Sequence, residues 1–190
     1  DISSELSTVD NVVKIQPSKA VLPVKSNPVN VVGMIPETDP TFVPFGNFKD
    51  MLMATAKSPA MMIYLDNSSS KVNKINENYA RELFELHTLG VDGGYTQKDI
   101  QESARVLTGW GVEKPKEIAA FKFFKKQHDN QPKHVLNLFF IGSQGIAEGE
   151  QLIQYLSEHK STAHFIAKKL AIKFISDEPS QKTIDAIAQV

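Results

Sequence analysis

Five ionisable side chains in the middle of the sequence have the chemistry of a polar site. Glu82 and His87 fall on one predicted helix, Arg105 falls on the next, and His128 and Asp129 are adjacent further along. A carboxylate beside an imidazole can exchange protons, and a guanidinium can hold an anion. These five residues are therefore the candidate catalytic residues of the sequence.

Glu82 has the least ordinary position of the five. At about 100° per residue its azimuth lies inside the apolar stripe of its helix. That stripe consists of Ile75, Tyr79, Leu83, Leu86 and Leu89. An ionised carboxylate there needs a cation or several donors, or it takes up a proton. One interpretation is that Glu82 pairs with Arg105 and fixes the packing of two helices. The alternatives are a functional carboxylate beside His87 and a side chain that reaches solvent.

A central helical hairpin, residues 76–110, carries three of the candidates. Its second helix is predicted to begin at Thr96, because Thr96 and Asp99 have the spacing of a capping box. Arg105 lies off the apolar face of this helix, and Gly109 and Gly111 are predicted to end it. The apolar face consists of Ile100, Ala104, Leu107 and Trp110.

The loop between the two helices is similar to the second half of an EF-hand calcium loop. Asp92, Thr96 and Asp99 fall at positions that supply ligands in such loops. The first and third positions would be Thr88 and Gly90, which are poor ligands, and Asp99 replaces the usual bidentate Glu. The alternative is a Gly-rich turn followed by a helix N-cap, which explains the same residues without calcium.

A second possible metal pair is His128 with Asp129, since imidazole and carboxylate are both metal ligands. The pair falls in a polar segment between two predicted strands, at about 119–124 and 134–141. The alternative is a solvated hairpin loop.

A resemblance to a known family lies in residues 76–110, which read NENYARELFELHTLGVDGGYTQKDIQESARVLTGW. This segment is similar to the signature of a large bacterial family, domain of unknown function 1800. The likeness continues in GNFKDMLMATAKSPAMMIYLDN, HDNQPK and STAHFIAKKLAIKFISDEPS, and so covers about 45–190. The resemblance implies an internal piece of a large, mostly helical and often exported protein, and no particular activity. It also adds Lys133 to the candidates, because the family pattern has a lysine after the HD pair.

Composition excludes several classes of function. The 21 basic and 22 acidic residues leave no basic stripe for nucleic acid. A run of about 18 apolar residues is absent from the sequence, so no membrane span is predicted. The sequence has no cysteine, which excludes disulfides and thiolate metal sites but does not decide the compartment. A start at Asp1 rather than methionine predicts a processed or truncated chain.

The predicted fold is mainly α, with a helical bundle-like body, a small β-hairpin and an extended Pro-rich N-terminal arm. The arm, residues 1–44, has prolines too frequent for helices, and a disordered linker is the alternative. The helical domain, residues 45–190, contains the hairpin 76–110, a β-hairpin over about 119–141 and C-terminal helices over 147–190. Asn47 is predicted to cap the first helix of this domain. Ser161 is predicted to cap a later helix, whose apolar face consists of Phe165, Ile166, Leu170 and Phe174.

Three functions are compatible with these features. The first is a helical structural or interaction domain of a larger, exported protein, whose partner is another protein or the remainder of the same polypeptide. The second is part of an enzyme with a Glu/His/Arg polar site. The third is a binding module stabilised by calcium or another metal. The family resemblance implies a periplasmic or secreted location, while a cytoplasmic one stays open.

Overall fold

The computed structural model describes residues 46–113 and 119–189. The predicted Pro-rich arm, residues 1–44, lies outside these ranges. Within them the fold is mainly helical, as predicted. The helices are α1 Phe48–Ala56, α2 Pro59–Tyr64, α3 Asn78–Glu82, α4 Gln97–Val106, α5 Ile146–Ser157, α6 Lys160–Phe174 and α7 Gln181–Ala188. In the described part of the chain, none of these helices has the length and apolar character that a membrane crossing requires.

Two helix starts follow the predicted capping residues, whereas α6 begins at Lys160 with His159 as its N-cap, so the predicted cap at Ser161 is wrong. The Asn47 side chain accepts a hydrogen bond from the Asp50 amide at 2.9 Å at the start of α1. At α4 the capping box is complete: the Asp99 amide donates to Thr96 Oγ1 at 3.2 Å, and the Thr96 amide donates to Asp99 Oδ2 at 2.8 Å. Both contacts satisfy amides that a helix N-terminus leaves without partners.

The first helix of the central hairpin changes its winding after Glu82. It is α-helical over Asn78–Glu82 and π-helical over Leu83–His87. A π turn contains more residues than an α turn, so a stripe drawn at constant spacing drifts away from the core. Leu86, predicted on the buried stripe, is accordingly 52% exposed, while Phe84 is completely buried. The prediction for Leu86 is therefore wrong because the helical period is not constant.

Four short strands form two separate antiparallel hairpins. Strand β1 Trp110–Glu113 pairs with β2 Ala120–Phe123, and β3 Lys133–Val135 pairs with β4 Leu138–Phe140. The predicted single hairpin over about 119–141 is wrong in its pairing, since its first strand joins the residues that follow α4. Its second strand is a hairpin by itself.

The turn between β3 and β4 contains no glycine that would indicate it in the sequence. Leu136 has a positive φ of 52°, which is uncommon for a residue with a branched side chain. Its amide donates to Asp99 Oδ1 at 2.7 Å, so a side chain from α4 holds the turn in place. A contact between residues 37 positions apart in the sequence cannot be read from local turn signals.

The main core lies where α1, α4 and α5 meet β1. Trp110 is buried at its centre, and its ring lies against Gly149 of α5. A Cβ at Gly149 would lie 2.3 Å from Trp110 Cζ2, so only glycine permits this approach. Helix α4 ends at Val106, before the predicted stop at Gly109 and Gly111, and Trp110, predicted on its apolar face, begins β1. Gly109 has a positive φ of +79° in the turn between them. Other fully buried members of this core are Phe84, Ile100, Leu107, Leu152, Ile153 and Leu156.

Helices α6 and α7 pack on each other around a second, smaller cluster of Ala167, Ala171 and Ile184. Leu170 and Phe174, predicted on the apolar face of α6, are 44% and 77% exposed. The prediction is wrong for these two residues, whereas Phe165 and Ile166 of the same predicted face are half-buried. The contact with α7 uses small alanine side chains, which let two helices approach closely, rather than large apolar ones.

Candidate functional site

A cluster of charged side chains lies between α4, the segment 128–133 and α5. We call it the charged cluster. Its members are Glu102, Arg105, His128, Asp129, Lys133 and Glu148. All but Arg105 are buried residues, which is unusual for charged types. The structure thus brings together Arg105, His128, Asp129 and Lys133, four of the residues that the sequence indicated.

Arg105 is held by two carboxylates. Its Nε lies 2.7 Å from Asp129 Oδ2, and its Nη1 lies 2.8 Å from Glu102 Oε2. Nη1 also donates to the Pro132 carbonyl oxygen at 3.3 Å. The predicted pairing of Arg105 with Glu82 is therefore wrong. Arg105 lies off the apolar face of α4, as predicted, but that direction points at segment 128–133 rather than at the neighbouring helix.

Asp129 is fixed from both sides of its carboxylate. Arg105 occupies Oδ2, and the Gln131 amide donates to Oδ1 at 2.8 Å. Burial by itself would raise the pKa of Asp129. The hydrogen bonds from Arg105 and Gln131 and the positive charges of Arg105 and Lys133 outweigh it, so the pKa lies below its ordinary value. Asp129 is therefore an ionised anchor of the loop.

Lys133 and Glu148 form an ion pair in the interior. Lys133 Nζ lies 2.7 Å from Glu148 Oε2, and neither side chain is exposed to solvent. The Gln144 amide donates to Glu148 Oε1 at 3.2 Å, so both carboxylate oxygens have partners. Sequence reasoning missed Glu148, because an acidic residue in the first turn of a helix is ordinary and gives no sign of burial.

His128 is completely buried beside this pair. Its Nδ1 lies 2.8 Å from the Thr108 carbonyl oxygen, so the geometry assigns the donated proton to Nδ1. Its Nε2 lies 3.4 Å from Glu148 Oε2 and has no hydrogen bond to any described residue. The Phe123 ring covers the imidazole edge-on at 5.4 Å. His128 thus faces other side chains of the cluster rather than an open surface.

Glu82 and His87 are not joined to the charged cluster by a hydrogen bond or an ion pair. Both are half-buried, and Glu82 has no ion-pair partner within residues 46–113 and 119–189. The pKa of His87 is lowered, chiefly by burial; the charge of Glu82 opposes this and that of Lys169 adds to it. The five candidates therefore divide between two places.

Because Glu82 makes no ion pair, we expect Glu82→Gln to change the free energy of unfolding by less than about 0.5 kcal/mol. Chemical denaturation of the two proteins measures this. A loss above about 2 kcal/mol would instead show that the Glu82 charge is needed in the folded state.

The possible calcium ligands have other partners. Asp99 Oδ2 accepts hydrogen bonds from the Thr96 amide and hydroxyl, and Oδ1 accepts one from the Leu136 amide. Burial tends to raise the pKa of Asp99, but these hydrogen bonds lower it overall. Asp92 is exposed in the loop. Among the described residues, no three His, Asp or Glu side chains are grouped as a metal site would need. These contacts support the interpretation of a turn with an N-cap, and calcium binding stays a prediction.

An open cleft lies over the charged cluster, between α4 and the β3–β4 hairpin. Its volume is about 480 Å³. The lining combines bases, acids and one aromatic ring, so it can both donate and accept hydrogen bonds. It consists of Thr96, Lys98, Asp99, Glu102, Arg105, Pro132, Lys133, His134 and Phe139. The sequence analysis indicated Thr96, Asp99, Arg105 and Lys133 of this lining. It did not indicate Phe139, whose position depends on the unpredicted hairpin.

Comparison with known proteins gives one match. The family described as Protein of unknown function (DUF1800) matches residues 43–190. No curated protein and no solved structure matches the chain.

Proposed function

We propose that this chain, which belongs to the DUF1800 family, is a structural and interaction domain of a larger exported bacterial protein. No activity is described for the family, so the support for this function comes from the geometry of the chain. The helical domain supplies a stable body, and the cleft over the charged cluster is the surface that a ligand, a partner protein or the remainder of the polypeptide contacts. The family resemblance in residues 76–110 supports the exported location.

One observation carries this proposal: each carboxylate, the guanidinium and the ammonium group of the cluster is in contact with an opposite charge. Arg105 contacts Asp129 and Glu102, and Lys133 contacts Glu148, all at 2.7–2.8 Å. A general base or nucleophile needs a side chain that can reach the substrate. Carboxylates and ammonium groups held this closely stabilise packing instead, because a buried charge is tolerated when its partner is in contact.

The sign of a stability change tests the structural role. Asp129→Asn removes one charge from the contact with Arg105, and we expect a loss of about 1.5–3 kcal/mol in the free energy of unfolding at neutral pH. Catalytic residues commonly behave in the opposite way, since replacing them relieves strain. An Asp129→Asn protein as stable as the parent, or more stable, would contradict the proposal and favour an enzyme. Asp92→Asn, in the exposed loop, is the matched control.

The stability difference between the parent and Asp129→Asn is expected to depend on pH. The folded-state pKa of Asp129 lies below the unfolded value of about 3.9, so its contribution is complete above that pH. The contribution is lost as the pH falls from about 4 through the folded-state pKa. We therefore expect the stability difference between parent and Asp129→Asn to shrink in this acid range. A difference that stays constant would mean that the ionised carboxylate is not the stabilising group.

A further inference from the structure

We propose that the cleft between α4 and the β3–β4 hairpin binds a neutral saccharide. This inference rests on the proposed interaction function and names the chemistry of the ligand. Three features of the lining support it: its balanced charge, its unpaired donor and acceptor atoms, and an exposed aromatic ring at its edge.

The charge balance of the lining disfavours an ionic ligand. The lining has three bases, Lys98, Arg105 and Lys133, and two acids, Asp99 and Glu102. Two buried carboxylates, Asp129 and Glu148, contact Arg105 and Lys133, so the whole set lies within one charge of neutrality. An anion in the cleft would lie close to Asp99 and Glu102, and a cation would lie close to Lys98 and Arg105, so either would meet a charge of its own sign. A ligand without net charge avoids both repulsions.

The free atoms of the lining suit hydroxyl groups. Lys98 Nζ lies 3.7 Å from Glu102 Oε1, which is too far for a hydrogen bond, and the Lys98 side chain is 75% exposed. Arg105 Nε and Nη1 are occupied, while Nη2 donates to none of the residues in 46–113 and 119–189. A hydroxyl donates and accepts at once, so it can bridge Lys98 and Glu102 without breaking an existing pair.

Phe139 supplies an apolar surface beside these polar groups. It pairs in register with His134 across the β3–β4 hairpin, so both side chains project from the same face of the sheet. Phe139 is 64% exposed. The C–H face of a pyranose ring is apolar and its rim is polar, and a site with one aromatic face and several convergent polar groups fits both.

Calorimetric titration of the full 190-residue chain tests the proposal. The probes are neutral hexasaccharides: cellohexaose, laminarihexaose, maltohexaose, mannohexaose and xylohexaose. We expect at least one to bind with a dissociation constant of about 1 mM or tighter. Its affinity should change less than about twofold between low and high salt, because no ion pair forms.

Matched variants locate the site. Phe139→Ala should weaken binding by about tenfold. Phe139→Trp should retain binding, since an aromatic ring is required at this position rather than phenylalanine itself. Lys98→Met, at an exposed position, should weaken binding several-fold. Phe174→Ala is the control, because Phe174 is an exposed phenylalanine on α6 outside the cleft, at 77% against 64% for Phe139, and it should bind like the parent.

The proposal is overturned if none of the hexasaccharides binds, or if Phe139→Ala and Phe174→Ala bind alike. Tighter binding of hexagalacturonate would show an anion site, and tighter binding of trialanine would show a site for peptides; either result also overturns it. If no saccharide binds but Asp129→Asn loses stability as expected, the saccharide proposal is rejected and the proposed interaction domain is not.

Discussion

Replacing Lys133 by methionine is expected to lower the free energy of unfolding by about 3–5 kcal/mol. Methionine keeps most of the length of the side chain but removes the charge. Glu148 would then be buried without its cation, and His128 Nε2, at 3.4 Å, is its only other close basic neighbour among the described residues. An unpaired carboxylate in the interior must bind a proton or draw in water, and both destabilise the fold.

Lys98→Met is the control for this substitution. It removes the same group from an exposed position on α4, where the ion pair with Glu102 is long at 3.7 Å. We expect a change below about 1 kcal/mol, as for other exposed ion pairs. If urea denaturation showed equal losses for Lys98→Met and Lys133→Met, burial of the Lys133–Glu148 pair would not be the cause.

Replacing Trp110 by alanine is the second large effect that we expect, with a loss of about 3–5 kcal/mol. The indole is buried at the centre of the main core and contacts Phe121 edge-on at 5.1 Å. Its removal leaves a cavity beside Gly149 that the surrounding helices fill only in part. Thermal and urea denaturation measure the loss.

Gly149→Ala provides the check on this packing. In the parent the new Cβ would lie 2.3 Å from the indole, so the substitution should destabilise by about 1–3 kcal/mol. In the Trp110→Ala background the clash is gone, and alanine should gain up to about 1 kcal/mol from its helix propensity. The effect of Gly149→Ala should therefore change sign. The same sign in both backgrounds would contradict the observed contact.

The sequence predicted those elements whose signals are local. The caps at Asn47 and Thr96 and the burial of Ile100, Ala104 and Leu107 are confirmed, because each depends on residues within a few positions of one another. Trp110, predicted on the same helix, is instead the first residue of β1. The membership in the family was likewise readable from residues 76–110.

The incorrect predictions concern burial and strand pairing that depend on residues far apart in the sequence. The π turn after Glu82 makes Leu86 more exposed than predicted, and no local sequence pattern indicates such a turn. The pairing of β2 with β1 rather than with a later strand depends on how the chain turns at Gly109, between the end of α4 and the start of β1. Leu170 and Phe174 of α6 are exposed because the helix buries its alanines instead, and alanine contributes little to a hydrophobic pattern.

The candidate site was predicted in part. Arg105, His128, Asp129 and Lys133 were identified from residue types and from the resemblance, and they do meet. The other two carboxylates of the cluster, Glu102 and Glu148, were not identified, since they look like solvated residues of amphipathic helices. Which carboxylate neutralises which base is decided by packing between segments, and a single sequence does not contain that information.

A double-mutant cycle on Lys133→Met and Glu148→Leu tests most directly whether the charged cluster stabilises packing. The two substitutions together replace a buried ion pair by apolar side chains of similar size. We expect each single variant to be strongly destabilised and the double variant to regain most of the loss, with a coupling of at least about 2 kcal/mol. Additive losses, or a single variant more stable than the parent, would contradict the structural role of the cluster.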